Sequence, residues 1–392
     1  MPKLPGEIIE SIIDCLSSDK STLCAWSLVA RHLLPRSRHH LFRRLYLILA
    51  LWNDQDNSAA FLPLLESPLV TFIPCVNEVV LQVINRYVWY PRTPGLSPSG
   101  LLCKLTDSGI RPTSLSIYNH LYEITGATIH GALPAFVASL VHLRLYYSGV
   151  VPLDELVTYI CSFRSLESLA LGCQTLGGIA EPTTTAPVLA ALPPKLHTLD
   201  MAGGSPFLNW IASLSPAPRH ISNLVVRESA WKVQKFLDSP VATGVRTLTF
   251  DDCDINLEIL KTGRLTGLRS LSLEYRMNPP IRQHVLRSNG DPRFADKTNV
   301  IPVIEEFSSC TTVEMLKIAV HFLDFAVDED VMSPWRAVDA AIVRAWPNVQ
   351  RVVICRPKAE NHVGISENTA RKLRARMPLC KEQGILVIQN VT

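Results

Sequence analysis

This chain of 392 residues lacks the short motifs through which most enzymes hold phosphates or metals. It has no GxxxxGK[ST] loop, no GxGxxG turn and no HExxH pair, so the sequence offers neither a backbone cradle for a nucleotide nor paired imidazoles for zinc. The stretch GLSPSG at 95–100 differs from the GxSxG nucleophile elbow, and its proline favours a loop. The acidic run DDCD at 251–254 lacks EF-hand spacing and is predicted to be a solvated turn. We therefore predict no catalytic residue, no metal ligand and no cofactor.

Cysteine pairs, excess charge and long apolar runs are also missing. The ten cysteines include no CxxC pair, a usage typical of a reducing compartment. The net charge of +3 is too small to create the basic field that attracts nucleic acids. The longest apolar run, residues 45–52, is far shorter than the roughly 20 residues that span a membrane. These absences predict a cytoplasmic or nuclear protein with no nucleic-acid partner and no membrane partner.

The chain does contain a repeated apolar pattern. The spacing apolar-x-x-apolar-x-apolar occurs six times in succession between Leu140 and Leu273, with weaker copies on both sides. Its middle position recurs every 23 to 30 residues between Leu115 and Leu271, and then after 45 and 36 residues. Motif and period are both typical of leucine-rich repeats, in which each unit supplies one short parallel strand and a returning helix or loop. The middle positions are Leu45, Val79, Leu115, Leu143, Leu169, Leu199, Leu224, Leu248, Leu271, Leu316 and Val352.

The segments between these strands are long enough for parallel crossovers, which need a dozen or more residues. Helices are predicted over 153–163, 207–214, 230–237, 300–307 and 335–346, and loops over 90–95, 181–187 and 278–299. A helix over 366–376 and a strand over 385–388 are predicted to cap the open end. The predicted fold class is α/β: a small helical module over 1–45, an irregular leucine-rich-repeat solenoid over 46–365, and a cap over 366–392. The strands are expected on the concave face, and the helices and loops on the convex face.

The first 45 residues are predicted to form three short helices. An apolar ladder runs through Ile8, Ile12 and Leu16, a second helical stretch covers 21–33, and residues 35–42 lead into the first strand. Three short helices rarely bury enough apolar surface to be stable alone. The module is therefore expected to pack on the rest of the chain or on another protein.

The motifs of this module are LPxEIxxxIxxxL from Leu4 to Leu16, SxVxRxL from Ser27 to Leu33 and the closing HLF at 40–42. Joined to the repeats, the module resembles the F-box proteins with C-terminal leucine-rich repeats, in particular the divergent fungal kind. Two positions depart from the family pattern: Leu33 stands where a Trp is usual, and Ala30 where a Cys is common. The missing Trp removes a large aromatic side chain of the type that often dominates interface energy.

The resemblance implies a substrate-recognition subunit of a cullin-RING ubiquitin ligase of the SCF type. In such a protein the F-box helices bind a Skp-type adaptor, and through it a cullin, while the repeats hold a protein substrate. The subunit raises the effective concentration of two partners and is not itself an enzyme. The adaptor-binding positions that the resemblance implies are Leu4, Pro5, Ile8, Ile12, Leu16, Val29 and Leu33.

Two other interpretations stay open. The same apolar residues are intrachain core if the module only caps the repeats of a scaffold protein that is not part of a ligase. A regulator of an enzyme, such as a GTPase activator built on similar repeats, would need a catalytic Arg projecting from a loop, and the sequence offers no candidate.

Residues between the apolar strand positions are the predicted substrate contacts, because side chains alternate between the two faces of a strand. On this basis Tyr147 should point inward, and the predicted concave contacts are Arg144, Tyr146, Asp200, Arg227, Asp251, Glu274 and Lys317. The repeat alignment puts Arg227, Asp251 and Glu274 at one register on successive strands. They form either a charge ladder within the protein or, through the two acidic residues, a site for a basic substrate segment.

Overall fold

The structure, a computed structural model, describes residues 5–29, 31–50, 57–67, 70–84, 97–119, 136–147, 151–173, 179–180, 191–218, 220–227, 230–251, 262–276, 300–321, 334–356 and 365–389. The chain divides into two compact units, Met1–Leu196 and His197–Thr392, which we call unit 1 and unit 2. The three predicted loops lie outside the described residues. The division falls within the predicted repeat region.

Unit 1 begins with the three-helix module, formed by α1 (Gly6–Cys15), α2 (Lys20–Val29) and α3 (Leu34–Phe42). Its small core contains the buried side chains of Ile13, Leu23 and Leu33, with Ile9, Leu16, Trp26 and Leu41 packed around them. Helix α3 contacts the first repeat, where the ring of Phe42 stacks on Phe72 with 4.5 Å between centroids. The module therefore has its own core and also packs on the strand that follows it.

The rest of unit 1 is a parallel sheet with intervening helices. Its strands, in the order of their pairing, are β1 (Arg44–Ala50), β2 (Glu78–Ile84), β3 (Ser114–Asn119), β4 (His142–Tyr147) and β6 (Ser168–Cys173). The helices are α4 (Ser58–Glu66), α5 (Pro98–Asp107) and α6 (Leu153–Ile160), and β5 (Val151–Pro152) pairs separately with β7 (Ile179–Ala180). Helices α4 and α5 were not among the predicted elements, and α5 begins at Pro98, within the GLSPSG stretch for which a loop was expected, because proline is well suited to the first turn of a helix.

Unit 2 has the same architecture, with seven parallel strands among its described residues. They pair in sequence order: β8 (Thr198–Ala202), β9 (Asn223–Val226), β10 (Thr247–Phe250), β11 (Ser270–Arg276), β12 (Met315–His321), β13 (Arg351–Cys355) and β14 (Leu386–Ile388). The helices are α7 (Ser205–Ser213), α8 (Gln234–Leu237), α9 (Ile301–Glu306), α10 (Pro334–Ala345), α11 (Glu367–Arg376) and α12 (Pro378–Glu382). Short 3-10 turns cover Ala230–Val233, Pro240–Gly244 and Phe307–Ser309.

The strand registers confirm the repeat alignment. Within unit 1 the predicted middle positions Leu45, Val79 and Leu115 lie opposite one another, and in unit 2 Leu248 lies opposite Leu271. These inward side chains are fully or almost fully buried. Because every repeat donates its apolar positions to the same register, one continuous apolar layer forms beneath the strands of each unit.

The backbone before each strand repeats one hydrogen-bond arrangement. The carbonyl of Ser222 accepts from the amides of Arg246 and Thr247 at 2.8 and 2.9 Å. The carbonyl of Glu314 does the same with Gln350 and Arg351, at 2.8 and 3.1 Å, although this repeat is longer. Additional residues in the longer repeats are therefore accommodated away from the start of the strand.

The helix predictions hold in part. All five predicted crossover helices are present with shifted bounds, but the one over 230–237 is a 3-10 turn followed by the short helix α8. The predicted end of the chain is present as α11 and β14, and α12 between them was missed. Asp339 on α10 caps this missed helix, since its buried carboxylate accepts from the amides of Leu379 and Cys380 at 2.7 and 2.9 Å.

Candidate protein-binding surfaces

The N-terminal module leaves several large apolar side chains in solvent. Ile8 and Ile12 on α1 are 48% and 38% exposed, and Leu28 and Val29 at the end of α2 are 87% and 75% exposed. Pro5, just before α1, is exposed as well. Four of the predicted adaptor-binding residues (Pro5, Ile8, Ile12 and Val29) are therefore available to a partner.

The other predicted adaptor contacts have different locations. Leu33 is only 8% exposed and belongs to the core with Ile13 and Leu23, while Leu16 packs against that core. Leu33 is therefore an intrachain residue, as the alternative interpretation expected, because it follows α2 at the point where the chain turns back across the module. Leu4 lies outside the described residues. Sequence reasoning missed Leu28, although its position off the Leu23–Trp26 face of α2 was a usable signal.

An ionic cluster joins the first and third helices of the module. The carboxylate of Asp14 accepts from Arg36 at 2.7 Å (Nε) and 2.6 Å (Nη2), and its Oδ1 lies 2.8 Å from His40 Nε2. These hydrogen bonds, chiefly the one from Arg36, hold the pKa of Asp14 well below its ordinary value. The cluster fixes α1 against α3 and uses none of the exposed apolar residues.

The outward face of the unit 1 sheet carries aromatic side chains. Gln82, Tyr118, Tyr146 and Gly172 lie opposite one another on β2, β3, β4 and β6. The two tyrosine rings are stacked, with 4.8 Å between centroids and 5° between planes. On β1, the hydroxyl of the exposed Tyr46 donates a hydrogen bond to Gln82. We call Tyr46, Tyr118 and Tyr146 the tyrosine row.

Gly172 is the reason why the Tyr146 ring can lie flat over the neighbouring strand. A Cβ atom added at position 172 would overlap Cδ1 and Cε1 of that ring. Beside the rings, the side chain of Arg144 on the same strand is exposed, and its guanidinium makes no hydrogen bond or ion pair with the described residues. Of the predicted contacts, Arg144 and Tyr146 thus share one surface, and Tyr147 is buried, as predicted.

The outward face of unit 2 carries one guanidinium that pairs with two carboxylates. The guanidinium of Arg227 donates to Asp200 through Nε and Nη2, at 2.8 and 3.2 Å, and through Nη1 to Asp251. We call Asp200, Arg227 and Asp251 the ionic row. Asp251 therefore has an intrachain partner. Of the two interpretations of these residues, the structure favours the charge ladder over a site for a basic substrate segment.

The remaining predicted contacts lie one and two strands further along unit 2. Glu274 on β11 lies opposite Ala319, and Lys317 on β12 lies opposite Ser272 and Val353. Both side chains are half-buried. Around them Ala319, Val353 and Cys355 are buried on the outward face, so this end of the unit 2 sheet is apolar on both sides. The simple alternation of inward apolar and outward polar residues fails there.

No protein-family model matches the chain, and no curated protein matches it. In the part of the chain that the structure describes, no helix combines the length and apolar character that crossing a membrane requires. Nor do its described residues include a group of three or more His, Cys, Asp or Glu side chains placed to hold a metal ion.

Proposed function

We propose that this protein is a substrate-recognition subunit of an SCF-type ubiquitin ligase, acting in the cytoplasm, the nucleus or both. Its N-terminal module would be an F-box that binds a Skp-type adaptor, and its leucine-rich repeats would bind a protein substrate. The observation that carries the proposal is that the module builds its core from Ile13, Leu23 and Leu33 while Ile8, Ile12 and Val29 stay exposed.

The exposed residues have a physical consequence. Single apolar side chains at a surface are ordinary, but Ile8 and Ile12 lie one turn apart on α1 and Leu28 and Val29 are adjacent on α2, so association at either place would bury two of them. Each buried square ångström of apolar surface contributes about 25 cal/mol. The module of this chain can present such a surface without unfolding, because none of the exposed residues belongs to its core.

The tyrosine row supports the second half of the proposal. Tyr and Arg are among the residues most enriched in interface hot spots, and Arg144 lies beside Tyr146 on the same strand. The stacked rings of Tyr118 and Tyr146 are already ordered, so these two side chains would lose little entropy when a partner packs on them. We place the substrate contact on this face of unit 1.

The second candidate function is a scaffold protein without a ligase partner. It is favoured by the burial of Leu33, one of the residues assigned to the adaptor, and by the stacking of Phe42 on Phe72, which makes the module a cap for the first repeat. This function keeps the tyrosine row as a protein-binding surface and leaves the exposed residues of α1 without a role.

Co-expression with the Skp-type adaptor of the same proteome, followed by size-exclusion chromatography, separates the two functions. We expect a one-to-one complex that Ile8→Lys abolishes. Glu10→Lys is the control, because it places a lysine on the opposite side of α1 with a change of net charge twice as large. Both variants should unfold at the temperature of the unchanged protein, since both positions are exposed. Separate elution of the two folded proteins would leave the scaffold function.

A further inference from the structure

A groove lies at the edge of unit 2 where the strands begin. Its volume is about 800 Å³, within the usual range for ligand-binding sites. Five of its polar lining residues each immediately precede a strand from β9 to β13: Ser222, Arg246, Arg269, Glu314 and Gln350. Because adjacent strands are about 4.8 Å apart, this row is about 19 Å long. The groove is separate from the ionic row, whose Arg227 and Asp251 follow the opposite ends of β9 and β10.

Small residues keep the groove open. Gly244 and Gly267 line it between the two arginines and the preceding turns. A Cβ atom added to Gly267 would lie 3.0 Å from the carbonyl oxygen of Thr243, closer than such atoms ordinarily approach. A side chain at this position would therefore press on the neighbouring repeat and fill part of the groove.

The charges in the groove are unbalanced. Arg246 and Arg269 stand at the same register on adjacent strands, where like charges repel. Arg269 has a carboxylate partner, Glu314, at 3.3 Å, and the two side chains are 60% and 44% exposed. The exposed guanidinium of Arg246 makes no hydrogen bond or ion pair with the described residues. With His220 also in the lining, the described residues of the groove supply one carboxylate, two guanidiniums and an imidazole.

We propose that this groove binds an acidic segment of a protein in an extended conformation. An extended chain advances about 3.3 Å per residue, so the row accommodates about six residues. Carboxylates of the segment would pair with Arg246 and Arg269, which offer forked donors matched to a carboxylate. Asn348 and Gln350 at the far end can hydrogen-bond the backbone of the segment. The proposal holds whether the chain is a ligase subunit or a scaffold.

The test is fluorescence anisotropy with the full chain and a fluorescein-labelled peptide of alternating Glu and Gly, about ten residues long, sufficient to cover the row. A Lys/Gly peptide of the same length serves as the control ligand. We expect the acidic peptide alone to bind, and Arg246→Ala and Arg269→Ala each to weaken binding by about tenfold. Arg336→Ala removes an exposed guanidinium on α10, outside the groove, and should leave binding unchanged.

A gain of affinity distinguishes the proposal from damage to the fold. Glu314→Gln removes the carboxylate that competes for Arg269 and should tighten peptide binding several-fold. The proposal is overturned if the peptide does not bind, if Arg336→Ala weakens binding as much as Arg246→Ala, or if Glu314→Gln weakens it. Tighter binding of a DNA duplex that is equally sensitive to Arg246→Ala would also overturn it, because the groove would then serve a nucleic acid.

Discussion

At the same backbone register, the outward faces of the two units carry different side chains: stacked aromatic rings in unit 1 and paired ions in unit 2. In unit 1 the register positions hold Gln82, Tyr118 and Tyr146, and the stacked rings of the two tyrosines are partly exposed. In unit 2 Arg227 is shared by the two carboxylates of the ionic row. The three ions of the ionic row are paired with one another within the chain, with one net negative charge left over, whereas the stacked rings retain their outer edges. The outward positions of a repeat therefore acquire their function from neighbouring strands.

The inward and outward positions also differ in how far the sequence predicts them. The inward positions depend only on burial, so the 11 predicted middle positions could be read from the spacing of apolar residues. Outward residues depend on which side chain stands one strand away. The sequence left the pairing of Asp251 with Arg227 as one of two alternatives. The packing of the Tyr146 ring over Gly172 could not be predicted, because the only indication in the sequence was a glycine within a strand.

The N-terminal module shows the same limit. Its apolar ladder predicted the helix α1, but three side chains at the spacing of Ile8, Ile12 and Leu16 can face either a core or a partner. The structure separates them: Leu16 packs inside, while the two isoleucines stay exposed. The deciding factor is where α3 crosses α1, a tertiary contact that Asp14 and Arg36 fix and that local sequence does not encode.

The largest effect is expected from removing the centre of the ionic row. Arg227→Gln leaves the carboxylates of Asp200 and Asp251 half-buried without the guanidinium that they share, so the free energy of unfolding should fall by about 1–2 kcal/mol. Arg144→Gln, the matched change in unit 1, should alter it by less than about 0.5 kcal/mol, because Arg144 has no partner among the described residues. Urea unfolding measures both. Equal losses would mean that the two outward faces do not differ as described.

A smaller effect is expected from a change at Gly172, the glycine beneath the Tyr146 ring. Gly172→Ala would displace the Tyr146 ring and disrupt its stacking on Tyr118, at a cost of about 0.5–1.5 kcal/mol. The near-ultraviolet circular dichroism of the tyrosines should change with it. Gly263→Ala in unit 2 is the control, since its Cβ would meet open space. If Gly172→Ala behaves like this control in both measurements, the rings are not ordered by the glycine.

The smallest effect concerns the ionic cluster of the module, which, unlike the ionic row, joins two helices. The pKa of Asp14 is depressed below its ordinary value of 3.8, so its contribution to stability is present above that pH and is lost as pH falls towards the depressed pKa. Urea unfolding should therefore show the unchanged protein to be more stable than Asp14→Asn at pH 7, with a difference that shrinks below pH 3.8. Arg36→Gln should shrink the difference at pH 7, because it removes the main cause of the depressed pKa.

A difference that stayed constant as the pH fell well below 3.8 would show that the Asp14 carboxylate acts through its shape and not its charge, because Asp14→Asn would then lose the same amount of stability at every pH. In that case the crossing of α1 and α3 would owe its geometry to the packing of Ile13, Leu23 and Leu33 alone.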